Sequence, residues 1–315
     1  MFAICLESSH ARGMGHLFRA LNLADGIRTR GEQVYFFVNE HAPSLQLIQS
    51  RGYSADIVDL DPAGDWEPKA IASHGIDLWV NDRLDTSDLH VIRVRKSGVP
   101  VVTFDDRGTG AALSDANVAG LSFGEDPALT GRRVFRGVDY IILDPDIAKY
   151  RRQRTALDSV LVTLGGADTH GVTFKIAPLL QHFRADITIV LGPGFVGDST
   201  SLTSPKAKVV RAVPSLIEEM ANHDLAITGG GVTPFEANAS GLPCIVVANE
   251  RFEVPVGAAL QSMGGCRFAG YHEEIDRRKF DSNIPLAEMS RAGMDHVGLD
   301  GLERVLDIIW GLKGP

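Results

Sequence analysis

The stretch Arg12-Gly-Met-Gly-His-Leu-Phe-Arg19 gathers two glycines, one imidazole and two guanidinium groups between an apolar run and the start of a helical pattern. Gly13 and Gly15 permit a tight turn and a close ligand approach, and the unpaired N–H groups of a helix start hold anions. At that helix start the positive end of the dipole disfavours an imidazolium, so His16 reads as a neutral ring able to take a proton, the chemistry of a general base. Arg19 follows at i+3 on the same face, suited to a phosphate or carboxylate. A dinucleotide fingerprint would need glycine where the chain has Phe18, despite Glu40 after the second apolar run. No G-x-x-x-x-G-K-S/T sequence occurs either, which argues against a P-loop nucleotidase.

Two further glycine loops follow later strands. Leu164-Gly-Gly-Ala-Asp-Thr-His170 carries Gly165 and Gly166, and Thr228-Gly-Gly-Gly-Val-Thr-Pro-Phe-Glu236 carries Gly229, Gly230 and Gly231. In the latter the glycines expose backbone amides to a phosphate, Thr233 is placed to cap, and Pro234 suits a first helical turn. Glu236 reads either as an acceptor for two hydroxyls of a ribose diol or as a first-turn acid facing the helix dipole. Asn81-Asp-Arg83 and Asp105-Asp-Arg107 each lie just beyond a strand end. Asp82, Asp105, Asp106 and Arg83 there either position a sugar and orient a base or simply form turns. The histidines show no metal-ligand spacing, and no G-x-S-x-G elbow points to a serine hydrolase.

Positioning such loops requires strands that end beside helix starts, and the chain has that rhythm. Strands are predicted at 3–6, 34–38, 78–81 and 101–104, with a weaker one at 140–143, then at 160–164, 187–190, 208–210, 225–228 and 244–247. Leu17, Ala20, Leu21, Ala24 and Ile27 form a helical stripe between the first two. The fold class is therefore α/β: two Rossmann-like, doubly wound domains facing across a cleft, 1–150 and 151–315, the second closed by a C-terminal helix. The boundary is placed near residue 150, in the polar, basic segment from Asp144 to Arg154. The 315 residues suit two domains at roughly 100–200 residues each. With 31 Lys+Arg against 40 Asp+Glu, the net charge of −9 argues against a nucleic-acid partner or an anionic membrane surface. Cys5, Cys244 and Cys266 make neither a disulfide framework nor a zinc site, and no apolar run approaches the ~20 residues of a membrane span. A cytoplasmic location and no membrane insertion are expected.

The loop from Arg12 to Arg19 with Ala20-Leu-Asn-Leu-Ala-Asp-Gly26 resembles the N-terminal motif of the UDP-2,4-diacetamido-2,4,6-trideoxy-β-L-altropyranose hydrolases of pseudaminic acid synthesis and the related spore-coat polysaccharide proteins. The resemblance continues in order through Phe104-Asp-Asp-Arg107, Val162-Thr-Leu-Gly-Gly-Ala-Asp168, Ala226-Ile-Thr-Gly-Gly-Gly231 and Ala237-Asn-Ala-Ser-Gly-Leu-Pro243. More distantly the chain is similar to the lipid II-forming N-acetylglucosaminyltransferase, of GT-B arrangement. The resemblance implies a UDP-sugar or other NDP-sugar as substrate, with Gly229–Gly231 at the pyrophosphate, Glu236 on the ribose and the loop from Val213 to Leu216 near uracil. It places the catalytic base at His16, activating water at the anomeric carbon, with Arg12 or Arg19 beside the departing diphosphate and no metal or cofactor. Asn249 falls where the family has Asn-Gln, but Glu250 replaces the glutamine, and Asn81-Asp-Arg83 replaces Asp-His-Tyr. These departures imply a relative with another sugar substrate. Three readings stand at this point: a nucleotide-sugar hydrolase, a glycosyltransferase on the same scaffold, and a non-catalytic nucleotide-sugar-binding protein.

Overall fold

The computed structural model describes residues 1–8, 15–166, 168–202, 206–211 and 213–313. It divides into two compact units, Met1–Ile142 with Asp300–Pro315, and Leu143–Leu299. In the first unit strands and helices alternate: β1 (Phe2–Leu6), α1 (Gly15–Thr29), β2 (Val34–Val38), α2 (Ala42–Ser50), β3 (Ser54–Ile57), α3 (Glu67–His74), β4 (Leu78–Asp82), α4 (Asp88–Lys96), β5 (Val101–Phe104), β6 (Ala116–Ala119) and β7 (Val134–Arg136). The strands pair in parallel in the order β3-β2-β1-β4-β5-β6-β7. Every residue of β1, Phe-Ala-Ile-Cys-Leu, is buried, as expected of a central parallel strand covered by helices on both faces. Chain order reverses between β1 and β4, where Leu6 sits beside Asp82. That reversal opens a crevice at the carboxyl ends of the strands, the place where α/β sheets bind ligands.

The second unit repeats the plan with α5 (Ile147–Tyr150), β8 (Ser159–Thr163), α6 (Val172–Ile176), β9 (Asp186–Leu191), β10 (Ala207–Arg211), α7 (Leu216–Ala221), β11 (Leu225–Thr228), α8 (Thr233–Ala239), β12 (Cys244–Ala248), α9 (Val254–Ser262), β13 (Cys266–Tyr271) and α10 (Leu286–His296). Its parallel sheet runs β10-β9-β8-β11-β12-β13, so the corresponding reversal lies between β8 and β11. The loops after these two strands are the second and third glycine loops.

Three features depart from the sequence reading. Residues 140–143 are no strand: Val138–Tyr140 is a 3-10 turn, and Ile141 is covered by Gly120 and Gly301, where a Cβ would lie 2.9 Å from Ile141 Cγ1 and 2.1 Å from Ile141 O respectively. The final helix, α11 (Gly301–Lys313), belongs to the first unit. Its Leu302 and Leu306 close on Gly26 of α1, Trp310 stacks on Phe2 at 5.1 Å, and Arg30 pairs with Glu303 and Asp307. The break in the chain falls between residues 142 and 143 instead of near 150, because the basic segment is anchored into the second unit.

Arg154 is that anchor. It is fully buried, and among the described residues its guanidinium donates only to backbone carbonyls: Arg152, Met220, His223 and Ser240. Met220 and Ser240 close the carboxyl ends of α7 and α8, where orphan carbonyls and the negative end of the dipole favour a cation. Burial, with Arg152 nearby, pushes the guanidinium down to about 10, still charged at neutral pH. Arg154→Ala would strand these carbonyls away from water, and it is expected to lower the stability of the second unit by about 3–5 kcal/mol in urea unfolding. A loss below ~1 kcal/mol would show that water replaces the guanidinium freely.

Candidate functional site

In the first unit the β1/β4 reversal collects His16, Arg19, Asp82 and Asp105. His16 and Arg19 lie on the first turns of α1, Asp82 ends β4, and Asp105 follows β5 with φ +48°, a left-handed backbone that turns its carboxylate back toward Arg19. His16 Nδ1 lies 2.7 Å from Asp82 Oδ1. Arg19 donates from Nε and Nη2 to both Asp82 oxygens, at 2.9 and 2.6 Å, and from Nη1 to Asp105. Its guanidinium also lies over the ring of Phe104. Burial pushes the Asp82 carboxyl up, but the Arg19 guanidinium and His16 outweigh it and hold the group well below the usual carboxylate range. His16 Nδ1 has two neighbours, the acceptor Asp82 Oδ1 at 2.7 Å and the donor Arg19 Nη2 at 3.0 Å, which itself donates to Asp82; pairing with the ionised Asp82 selects the tautomer with the proton on Nδ1 and the lone pair on Nε2. The His16 side chain is 21% exposed and Asp82 only 2%, so the acid is hidden and the base is accessible. An accessible imidazole held against a buried, ionised acid is an arrangement able to act as a general base.

The other first-unit candidates separate. Arg19 is consumed by two carboxylates, so it orients Asp82 and is not a free cation for a departing diphosphate. Asp106 is fully buried and accepts from Thr86 N and Oγ1 and Gly108 N. It fixes the turn after β5, and the catalytic role expected for it is not available. Arg83, next in the chain to Asp82, leaves the dyad and donates to Leu60 O, lining a cavity of about 550 Å³ with Glu7, Asn39, Glu40, Asp59 and Asp61. Gly15 begins α1, while Arg12 and Gly13 lie outside the described residues.

In the second unit the glycine loops meet at the β8/β11 reversal. Gly165 adopts φ +89°, and Gly166 O accepts from Gly194 N at 2.8 Å, so this loop packs against the turn after β9. The amide of Gly230 is taken by the Glu253 carboxylate at 3.2 Å, which corrects the expectation that all three glycine amides face a ligand. Gly231 has open space around it. Val232, not Thr233, occupies the N-cap of α8, and no side chain caps it. Glu236 has no hydrogen-bond or ion-pair partner among the described residues, and burial, reinforced by Asp144, pushes its carboxyl up to about 7. A half-buried acid perturbed in this way is a candidate site residue. Asn249 donates from Nδ2 to Leu164 O at 3.3 Å, bridging the ends of β12 and β8. Val213 lies in the loop between β10 and α7, whose Ser215 caps the helix. Among the described residues no group of three or more His, Cys, Asp or Glu side chains could hold a metal ion, and no helix is long and apolar enough to cross a membrane.

No family model matches the chain. The spore coat polysaccharide biosynthesis protein SpsG of Bacillus subtilis (strain 168) is 22% identical over 334 residues, covering 98% of this chain and 97% of the relative. The chain is similar to SpsG over almost its whole length. Among solved structures, MurG of Acinetobacter baumannii superposes with a TM-score of 0.72 at 13% identity, covering 98% of this chain and 99% of that one. The glycosyltransferase VinC, solved in complex with DTDP, gives 0.63 at 14% identity over 99% of both chains. The chain thus has a GT-B-like fold of two Rossmann-like units. His16, Asp82 and Arg19, singled out from the sequence, come together in the first unit, whereas Glu253, whose local signal is its spacing from Glu250 in a capping box, was not singled out.

Proposed function

We propose that the chain is a glycosyltransferase-like nucleotide-sugar hydrolase of surface-polysaccharide synthesis, acting on a UDP-amino-sugar. The observation that carries this reading is the His16–Asp82 pair at the β1/β4 reversal, an accessible imidazole oriented by a buried, ionised acid. His16 Nε2 takes a proton from water as its oxygen bonds to the anomeric carbon. The bond from that carbon to the diphosphate oxygen breaks, UDP leaves with the electron pair, and Asp82 stabilises the imidazolium that forms. The second unit supplies the nucleotide site, with Gly231 beside the diphosphate, Glu236 on the ribose diol and the Val213 loop at the base. SpsG's name supports the polysaccharide context and VinC's bound DTDP supports a nucleotide ligand on this fold.

A transferase reading is favoured by one observation, the cavity of about 550 Å³ beside Arg83, which has the volume for an acceptor sugar. Proton and phosphorus NMR of the purified protein with a panel of UDP- and other NDP-sugars separates the two. Free sugar plus NDP without acceptor is the expected result. Turnover only with an added acceptor would establish the transferase, and binding with no turnover would leave a binding protein.

A further inference from the structure

Glu253, at the start of α9, is a buried carboxylate that the mechanism above leaves unused. Its Oε2 accepts from three backbone amides: Asn249 at 2.7 Å, Gly230 at 3.2 Å and Glu250 at 3.4 Å. The bond from Glu250 belongs to a local capping box, but the bond from Gly230 crosses from the loop after β12 to the loop after β11. The fit is close on both sides. A Cβ at position 230 would lie 2.6 Å from Glu253 Cβ, and one at position 229 would lie 2.6 Å from Asn249 Nδ2. Gly230 is therefore required by what packs on it, and Gly229 faces the tip of Asn249. Around the same loop two buried side-chain atoms, Asn249 Oδ1 and Thr228 Oγ1, have no partner among the described residues. Buried polar atoms without partners are exceptions that call for a ligand or another cause.

We propose that Glu253 is a positioning residue of the nucleotide-sugar site, clamping the glycine loop after β11 to the Asn249–Glu250 turn so that the Asn249 carboxamide oxygen receives an N–H or O–H of the bound sugar nucleotide. This rests on the nucleotide-sugar reading for its ligand, while the clamp itself is a property of the loops. Because Gly230's amide is already engaged by a carboxylate, the diphosphate is left with the amides that follow it.

Hydrogen exchange by mass spectrometry and calorimetric titration with UDP, on the full chain and its variants, test the two parts. In Glu253→Ala, peptides covering 229–231 and 249–250 should exchange at least about tenfold faster while β1, β4 and β8 keep their protection. UDP affinity should fall at least about tenfold. Glu253→Gln, whose carboxamide oxygen can take the place of Oε2, should recover most of the affinity, and Gly230→Ala, which forces the clamp open, should lose it. If Glu253→Ala does not fold, the last two variants carry the test. Unchanged exchange in both loops would overturn the clamp. Loosened loops with unchanged UDP affinity would reduce Glu253 to a helix cap. If the unaltered chain binds no nucleoside diphosphate, the functional reading fails and the role of Glu253 at such a site falls with it, whereas the exchange data still decide the clamp.

Discussion

His16→Ala is expected to lower turnover at least ~10²-fold while leaving UDP affinity within about threefold, because in the proposed reaction the base acts on water and the second unit holds the nucleotide. Single-turnover release of free sugar, followed by NMR, measures the first quantity, and calorimetry the second. Turnover that survives the substitution would remove His16 from the chemistry. Asp82→Asn sharpens the assignment. An amide presents both a donor and an acceptor to Nδ1, so the tautomer with its lone pair on Nε2 is no longer enforced, and turnover should again fall at least ~10²-fold. Unlike His16→Ala, it also leaves the Arg19 guanidinium, now with Asp105 as its one carboxylate partner, partly uncompensated in a buried place. A stability loss of about 2–4 kcal/mol should accompany it. The depressed Asp82 carboxyl contributes stability at pH values above its unfolded-state value, and that contribution is lost as pH falls through the folded one. In Asp82→Asn the acid limb of the stability curve should therefore be shallower.

What the sequence made legible follows from where the physics is local. β1, β5 and β12 are short apolar runs buried on both faces, and such runs mark themselves. β3, with Ser54-Ala-Asp-Ile57, and β7, three residues long, are sheet edges whose side chains are largely exposed, so they carry no apolar signature. The glycine loops were legible as strand-to-helix turns. What the glycines face was not, because the partners of Gly229 and Gly230 arrive from Asn249 and Glu253, about twenty residues further along the chain. Arg19 shows the same limit. Its spacing from His16 placed the two on one helical face, but only the tertiary fold brings Asp82 and Asp105 to absorb its charge, turning an expected phosphate ligand into a residue that orients the acid. Asp106 and Asp82 look alike as acids at strand ends, and they are separated by whether their oxygens are already engaged by the turn.

Glu236 gives the other large expected effect, and it has two signs. Its carboxyl lies at about 7 in the folded chain, raised by burial and by the charge of Asp144, from about 4.5 when unfolded. The folded state therefore holds a proton that the unfolded state releases. Any stability from this group is fully present below about pH 4.5 and is lost as pH rises through about 7. Glu236→Gln removes that penalty, so the variant should be more stable than the original chain by about 1–3 kcal/mol at pH 8, with the difference vanishing near pH 4. If Glu236 takes the two ribose hydroxyls as proposed, the same substitution replaces a charged acceptor by a neutral one, and UDP affinity should fall about 10–100-fold. In the unaltered chain, UDP binding should tighten as pH rises through about 7, because only the ionised carboxylate accepts both hydroxyls. Urea unfolding and calorimetric titration across pH 5–9 check all three. A variant that is more stable but binds UDP unchanged would leave Glu236 a strained helix-start acid with no ligand. A variant that loses both stability and binding would mean that the carboxylate is satisfied in the folded chain, and the ribose assignment would lose its ground. A gain in stability together with a loss of binding is the pattern of a group kept unpaired in the empty protein for a ligand to complete.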